Sequence, residues 1–171
     1  MIRAHDDPAA LTLVVDGPAT MTESPAVNEA AADALGRGAR SLRLDLRDCT
    51  TIDSTFSGTL LSLKRKLEDA GGSLTLVSPS ARVIELLAMM GLEDFYRIEH
   101  AEQLDGPWTE VAVTRPGAER LSRMIVDAHE QLARISGPAG TTFRTVVEEM
   151  RSEEQRGTVP SAPVVPPMPV H

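Results

Sequence analysis

Hydroxyl side chains crowd around a single carboxylate in the first half of this chain. The acid is Asp53, and the neighbouring hydroxyls belong to Thr50, Thr51, Ser54, Thr55 and Ser57. A strand-like run precedes this segment at 41–46, and a helix-like run follows it at 60–67. Backbone N–H groups at the start of a helix lack intrahelical partners and attract anions. The pattern therefore predicts a turn that holds a phosphate, and a phosphate carried covalently by Ser or Thr would make the turn a switch.

A simpler role for a hydroxyl at this place is helix capping. Thr55 as an N-cap would stabilise the following helix by about 1 kcal/mol and requires no phosphate. Capping explains one hydroxyl at a helix start better than it explains five hydroxyls around one acid. The clustering is therefore an argument for regulatory phosphorylation of a hydroxyl in this turn. The phosphate adds about −1.5 to −2 charges, and a loss of about 2.7 kcal/mol of binding free energy weakens a complex about a hundredfold.

Composition restricts the classes of protein to consider. The 171 residues are 42% hydrophobic but only 3% aromatic, which suits one packed domain with an appendage. A formal net charge of −8 argues against nucleic acid as the main partner and against a polybasic membrane anchor. The single cysteine, Cys49, excludes an internal disulfide and suits a reducing compartment. No signal peptide and no apolar run of about 20 residues is visible, so we expect a cytoplasmic protein.

Short strands alternate with helices along the first part of the chain. Strand patterns occupy 11–15, 41–46, 73–77 and 95–98, and helix patterns occupy 22–35, 56–67 and 80–90. Alternation of this kind predicts an α/β fold in which neighbouring strands run parallel. The hydroxyl turn then lies at the carboxyl end of a strand and the start of a helix, where α/β folds usually place function.

The composition changes in the last third of the chain. Residues 105–116 are a predicted linker, although 108–113 also fits an extra strand. A helical hairpin is expected over 117–153, because two apolar stripes recur at helical spacing on either side of a loop at 137–140. This hairpin packs back on the domain or pairs with a second chain, because two exposed apolar stripes would be a liability. Residues 154–171 are rich in proline and fit a disordered or polyproline-like tail.

Other reactive side chains carry weaker signals. Asp45, Asp48 and Asp53 suggest a Mg²⁺ cluster, but solvated acids or loop caps explain them better. Cys49 fits a small packed residue near a strand end better than a redox-sensitive thiol. The four histidines show no metal-ligand spacing, and we expect them at the surface. No nucleotide-binding loop, nucleophile elbow or metal-ligand set is visible, so we predict no enzyme activity, metal or cofactor.

Three segments occur in an order and at spacings that are typical of one protein family. They are Leu44-Asp45-Leu46-Arg47 running into Ile52-Asp53-Ser54-Thr55 and Gly58, then Gly71-Gly72-Ser73-Leu74-Thr75-Leu76-Val77, then Ser80-Ala81-Arg82-Val83 before Leu86-Leu87 and Gly91-Leu92. With them, residues 10–100 resemble the STAS domain, in particular that of anti-sigma-factor antagonists. The resemblance implies an α/β fold over 1–104, a small mixed sheet of four to five strands with packed helices, to which the C-terminal helical hairpin is added.

The resemblance also implies a function and a site. Antagonists of this family are not enzymes; unphosphorylated, they bind an anti-sigma factor that is also a serine kinase, and so regulate sigma-factor-dependent transcription. Asp53 matches the family's acidic residue, Ser54 its first hydroxyl, and Thr55 its second hydroxyl, the expected acceptor. A phosphatase would reset the protein. The residues expected to contact the partner are Asp53, Ser54, Thr55, Phe56, Ser57 and Gly58. Phe56 stands where the family commonly has Gly, and we expect it to anchor the helix start in the core.

A second function fits the same residues. A constitutive STAS interaction subunit, part of a transporter or of a stress-signalling scaffold, would use the same surface without phosphorylation. The family often has an acid near the end of the first strand, and this chain reads Gly17-Pro18-Ala19-Thr20 there. That departure favours a different kinase or none. Neither function predicts direct contact with nucleic acid or a membrane, and the C-terminal helices offer a surface for a homodimer.

Overall fold

The structure, a computed structural model, describes residues 1–102 and 106–156. In chain order its elements are β1 (Ile2–Asp7), β2 (Ala10–Val15), β3 (Gly17–Ala19), α1 (Ser24–Gly36), β4 (Ser41–Asp45), β5 (Cys49–Ile52), α2 (Ser54–Asp69), β6 (Ser73–Val77), α3 (Ala81–Met89), β7 (Arg97–Glu99), β8 (Thr109–Val111), α4 (Ala118–Ala133) and α5 (Pro138–Gln155). The predicted α/β class, with a helical hairpin after the sheet, is confirmed.

The main sheet has the strand order β7-β6-β4-β2-β1-β8. Strands β2, β4, β6 and β7 run parallel, whereas β1 is antiparallel to both β2 and β8. The sheet has six strands, more than the four to five expected, because β1 and β8 extend one edge. The β3 and β5 strands form a separate parallel pair. This pair brings the end of β3 next to the start of α2, where the backbone N–H of Asp53 donates to the carbonyl of Ala19 at 3.2 Å.

Helix α2 is anchored by an apolar stripe at helical spacing. Its fully or almost fully buried members are Phe56, Leu60, Leu63 and Leu67. All four belong to the main core cluster, and burying each such side chain stabilises the fold by about 1.5–3 kcal/mol. The helix ends before Gly71, whose φ of +72° is the left-handed conformation that favours glycine at this place. Phe56 therefore anchors the helix start, as expected.

The C-terminal hairpin packs back on the domain, which is the first of the two arrangements considered. Helix α4 lies against α2, and α5 lies against α4. Three hairpin side chains, Leu132, Ile135 and Phe143, join the main core. Helix α5 begins at Pro138, so most of the loop expected at 137–140 is helical. Proline is compatible with the first turn of a helix, where its missing N–H costs nothing.

The last third of the chain contains a strand ahead of the helical hairpin. Residues 109–111, in the segment predicted as a linker, form β8 and pair with β1. Residues 103–105 and the proline-rich stretch from 157 onward lie outside the described residues. Within the part that the structure does describe, no helix combines the length and apolar character needed to cross a membrane.

Candidate functional site

Asp53 fixes the turn that precedes α2. It is the N-cap of the helix, and its Oδ1 accepts a hydrogen bond from the backbone N–H of Phe56 at 2.8 Å. Its Oδ2 accepts from the backbone N–H of Met21, also at 2.8 Å. Both carboxylate oxygens are therefore used, one within the helix and one towards the chain that follows β3. Asp53 ties two separate segments together and sets where the helix begins.

The electrostatic surroundings of Asp53 act in opposite directions. Burial raises the pKa of its carboxyl group above the ordinary value, because a charged group loses hydration there. The N–H donors of Phe56 and Met21 lower that pKa, and so does the charge of His129 when its ring is protonated, whereas the nearby charge of Glu23 raises it. The pKa of Asp53 is raised overall, so keeping its carboxylate ionised in this site lowers the stability of the folded protein.

The hydroxyls of Ser54, Thr55 and Ser57, which follow Asp53 on α2, occupy different environments. Ser54 is half-buried at the start of α2, and its Oγ lies 3.0 Å from Nε2 of His129. Thr55, the expected acceptor, is only 2% exposed. Ser57 is fully buried, and its Oγ donates to the carbonyl of Asp53 at 2.8 Å. Among these three hydroxyls Ser54 is thus the most exposed, while those of Thr55 and Ser57 are buried.

His129 on α4 is the partner that sequence analysis missed. Its Nδ1 lies 2.8 Å from the carbonyl of Ile125, so this nitrogen carries the proton and donates it. Nε2 is then the acceptor for the Ser54 hydroxyl. Burial lowers the pKa of the imidazole below its ordinary 6.5, which keeps the ring neutral at neutral pH. The ring also meets the edge of Phe143, with centroids 6.0 Å apart.

The expectation of a surface histidine is therefore wrong for His129, which is 1% exposed. A signal was present in the sequence, because residue 129 follows Ile125 and Ala128 on the apolar stripe of its helix.

A Ser hydroxyl beside a neutral imidazole also has the spacing of a nucleophile and a general base. Here, however, the other ring nitrogen is bonded to a backbone carbonyl of its own helix rather than to a carboxylate.

The backbones of α4 and α2 come into close contact at Gly58. A Cβ atom on Gly58 would lie 2.2 Å from the carbonyl oxygen of Ala128, so only glycine permits this approach. Thr55, Thr59 and Ser62 share this face of α2 with Gly58 at helical spacing. Further along α2, Arg65 donates to the side-chain oxygen of Gln131. The hairpin thus packs against two of the candidate partner-binding residues, Ser54 and Gly58.

The other candidate residues are structural. Asp45 is 2% exposed and paired with Arg47, whose Nε lies 3.1 Å from both carboxylate oxygens. Cys49 is buried, burial raises the pKa of its thiol, and its Sγ donates to the carbonyl of Thr51 at 3.3 Å. Over residues 1–102 and 106–156, no three His, Cys, Asp or Glu side chains are grouped as a metal site.

Comparison with known families decides the class of this domain. A family profile described as Mlab, STAS domain, matches residues 2–99, more than half of the chain. The chain belongs to the STAS domain family. Helices α4 and α5 follow the matched region and are therefore additions to the STAS domain.

Solved structures with the same fold include anti-sigma factor antagonists. Unphosphorylated SpoIIAA matches with a TM-score of 0.54 at 16% identity, over 60% of this chain and 90% of that one. A Thermotoga maritima protein described as a candidate anti-sigma factor antagonist gives 0.52 at 21% identity, over 58% and 85%. The phosphorylated form of SpoIIAA, a Bacillus cell fate determinant, gives 0.51 at 16% identity, over 60% and 93%. Comparison with curated protein sequences gave no match.

Proposed function

We propose that this STAS protein is a partner-switching module. In its unphosphorylated form it binds an anti-sigma factor that is also a serine kinase, and it thereby regulates sigma-factor-dependent transcription. The observation that supports this proposal is the construction of the α2 start, where Asp53 fixes the turn through two backbone bonds and Ser54 offers a hydroxyl. The protein acts by binding, in the cytoplasm, without catalysis of its own and without contact to nucleic acid or membrane.

The acceptor that we propose is Ser54 rather than Thr55. Ser54 is half-buried and lies at the first turn of α2, whereas Thr55 is 2% exposed and closed to another enzyme in this conformation. A phosphate on Ser54 would be stabilised by the free N–H groups of the helix start and opposed by the charge of Asp53. An added charge of about −1.5 to −2 at a contact surface is sufficient to release an apolar or acidic partner, and a phosphatase restores the binding form.

A second candidate function is that of a constitutive STAS subunit in a transporter or signalling scaffold. The observation that favours it is the burial of Thr55 and the packing of Phe56, which is 0% exposed and holds this turn in the core. A turn built in this way binds a partner through its surface residues without a modification cycle. The turn at 53–58 would be the same in both functions, and the difference lies in whether phosphate is ever added.

Intact-mass analysis with site mapping, on the protein isolated from its own host, separates the two functions. Samples from growing and stressed cells are compared for a species heavier by one phosphoryl group. A phosphopeptide containing modified Ser54, present in an amount that changes with condition and absent from Ser54→Ala, supports the switch. The Thr55→Ala variant is the matched control and should keep the modification. A single unmodified mass under every condition would leave the constitutive subunit as the function.

A further inference from the structure

We propose that α4 is an autoinhibitory latch, which covers the partner-binding residues of α2 and is released with α5 as one hinged unit. What the uncovered face then binds rests on the proposed function, but the latch itself is a property of this chain alone. Four observations support it: the contacts that α4 makes with α2, the kind of α2 face that lies against α4, the contacts within the hairpin, and the segment that connects the hairpin to the sheet.

The latch closes over the residues that a partner would need. Gly58 is in backbone contact with Ala128, and Ser54 is bonded to His129. Thr55, on the same side of α2, is 2% exposed. While α4 is in place, a partner can reach the edge of the turn but not the face of α2 behind it. Binding to that face therefore requires α4 to move.

The face of α2 that lies against α4 is polar enough to be exposed to water without a large loss of free energy. It carries the hydroxyls of Thr55, Thr59 and Ser62 around Gly58, whereas the leucines of the helix belong to the main core. Hydroxyl groups that are exposed again regain hydrogen bonds with water, so exposure of this face costs less than exposure of leucines. Leu132, Ile135 and Phe143 of the hairpin do join the main core, which keeps the latch closed in most molecules.

The hairpin also holds itself together. A separate apolar cluster lies mainly between α4 and α5, with the buried members Ile125, Val126, Val146 and Met150. Arg144 donates to the carbonyl of Ala133 at 2.9 Å, and Arg151 pairs with Glu130 at 2.6 Å. These contacts remain when α4 leaves α2, so the two helices can separate from the STAS domain as a unit.

The connection to the sheet has the properties of a hinge. Residues 112–117 lie between β8 and α4, adopt neither helix nor strand, and are exposed except for the half-buried Pro116. Few contacts therefore need to break in this segment when the hairpin swings. Near this segment, Arg120 of α4 pairs with Glu29 of α1 at 2.5 Å. Both side chains are exposed, so this ion pair contributes little to stability.

Hydrogen exchange of the full chain, read by mass spectrometry, tests the latch without a partner. A latch predicts that amides of α4 exchange through an opening that leaves β4 and β6 protected. Gly58→Ala should act as a wedge, because its Cβ would lie 2.2 Å from the Ala128 carbonyl oxygen. We expect α4 exchange to accelerate at least about tenfold, with β4 and β6 unchanged. The matched control is Gly36→Ala, where nothing lies within 4 Å of the added atom.

A second pair of variants covers the case in which the wedge unfolds the whole protein. His129→Ala removes the acceptor for Ser54 and should accelerate α4 exchange about tenfold, the effect of one buried hydrogen bond, while His129→Gln, which keeps an acceptor, should restore most of the protection. Exchange of α4 at the same rate as β4 in the wild type and in every variant would overturn the proposal.

The latch and the proposed function fail separately. Independent opening of α4, together with an unmodified protein in the host, would leave the latch standing and the phosphorylation switch overturned. Phosphorylated Ser54 together with exchange of α4 in one unit with the sheet would leave the switch standing and the latch overturned.

Discussion

Ser54 Oγ and His129 Nε2 lie 3.0 Å apart although 75 residues separate them in the chain. This bond joins the start of α2, which belongs to the STAS domain, to a helix that the family profile does not include. Ser54, the most accessible of the hydroxyls at 54, 55 and 57, is therefore bonded to the helix that packs against Gly58. A modification of the Ser54 hydroxyl would therefore alter its hydrogen bond to α4, and a movement of α4 would remove that bond from Ser54.

The first prediction concerns pH. Burial lowers the pKa of His129 in the folded protein below the 6.5 expected when unfolded. Stability from the neutral ring is therefore fully present above 6.5, and it is lost as pH falls from 6.5 through the lower folded value. His129→Gln has no such group, so its urea midpoint should approach or pass that of the wild type between pH 7.5 and 5.5, values that bracket the ordinary pKa of about 6.5. A difference between the two urea midpoints that stays constant over this pH range would show that His129 does not titrate in this way.

The second prediction concerns the N-cap. Asp53→Ala removes the acceptors for the N–H groups of Phe56 and Met21. We expect a loss of about 2–3 kcal/mol in the free energy of unfolding, since a cap contributes about 1 kcal/mol and an unsatisfied N–H costs about as much again or more. Urea denaturation measures it. The control is Asp7→Ala, which removes an exposed acceptor for the N–H of Ala9 and should change stability by less than about 0.5 kcal/mol. Equal effects of the two variants would refute the role assigned to Asp53.

The third prediction concerns the residue that departs from the family turn. Phe56 is 0% exposed, and Phe56→Ala should leave a cavity that lowers stability by about 3–5 kcal/mol. Ile84→Ala, at a position 36% exposed, is the control and should cost clearly less, about 1 kcal/mol. Thermal unfolding measures both. A small loss of stability from Phe56→Ala would mean that the Phe56 side chain does not anchor the start of α2 in the core.

The sequence predicted the STAS domain, but it did not predict that α4 packs against the start of α2. Local patterns identified β4, β6 and α2, because alternation and helical spacing are read from adjacent residues. Strand β1 was missed, since its polar Arg3, His5 and Asp6 interrupt any apolar run. The contact between Ser54 and His129 depends on how the hairpin docks, and no local pattern encodes docking. For the same reason the burial of Thr55 was not foreseen.

The last prediction concerns the ion pair of Asp45 with Arg47, whose two partners are not equivalent because only the carboxylate is buried. Arg47→Ala leaves the carboxylate of Asp45, which is 3% exposed, without its counter-charge, and it also removes bonds to the carbonyls of Ala101 and Glu102. We expect a loss of about 3 kcal/mol, because an uncompensated buried charge is costly.

Asp45→Ala should cost less, about 1–2 kcal/mol, because the Arg47 side chain is 29% exposed and stays hydrated and bonded to both carbonyls. Denaturant midpoints of the two single variants, and of the double variant, test this asymmetry. The double variant should resemble Arg47→Ala or be more stable, since it removes the stranded carboxylate. A larger loss from Asp45→Ala than from Arg47→Ala would show that Asp45 acts mainly as the acceptor for the backbone N–H of Arg47, at 3.0 Å, and not as a buried charge in need of a partner.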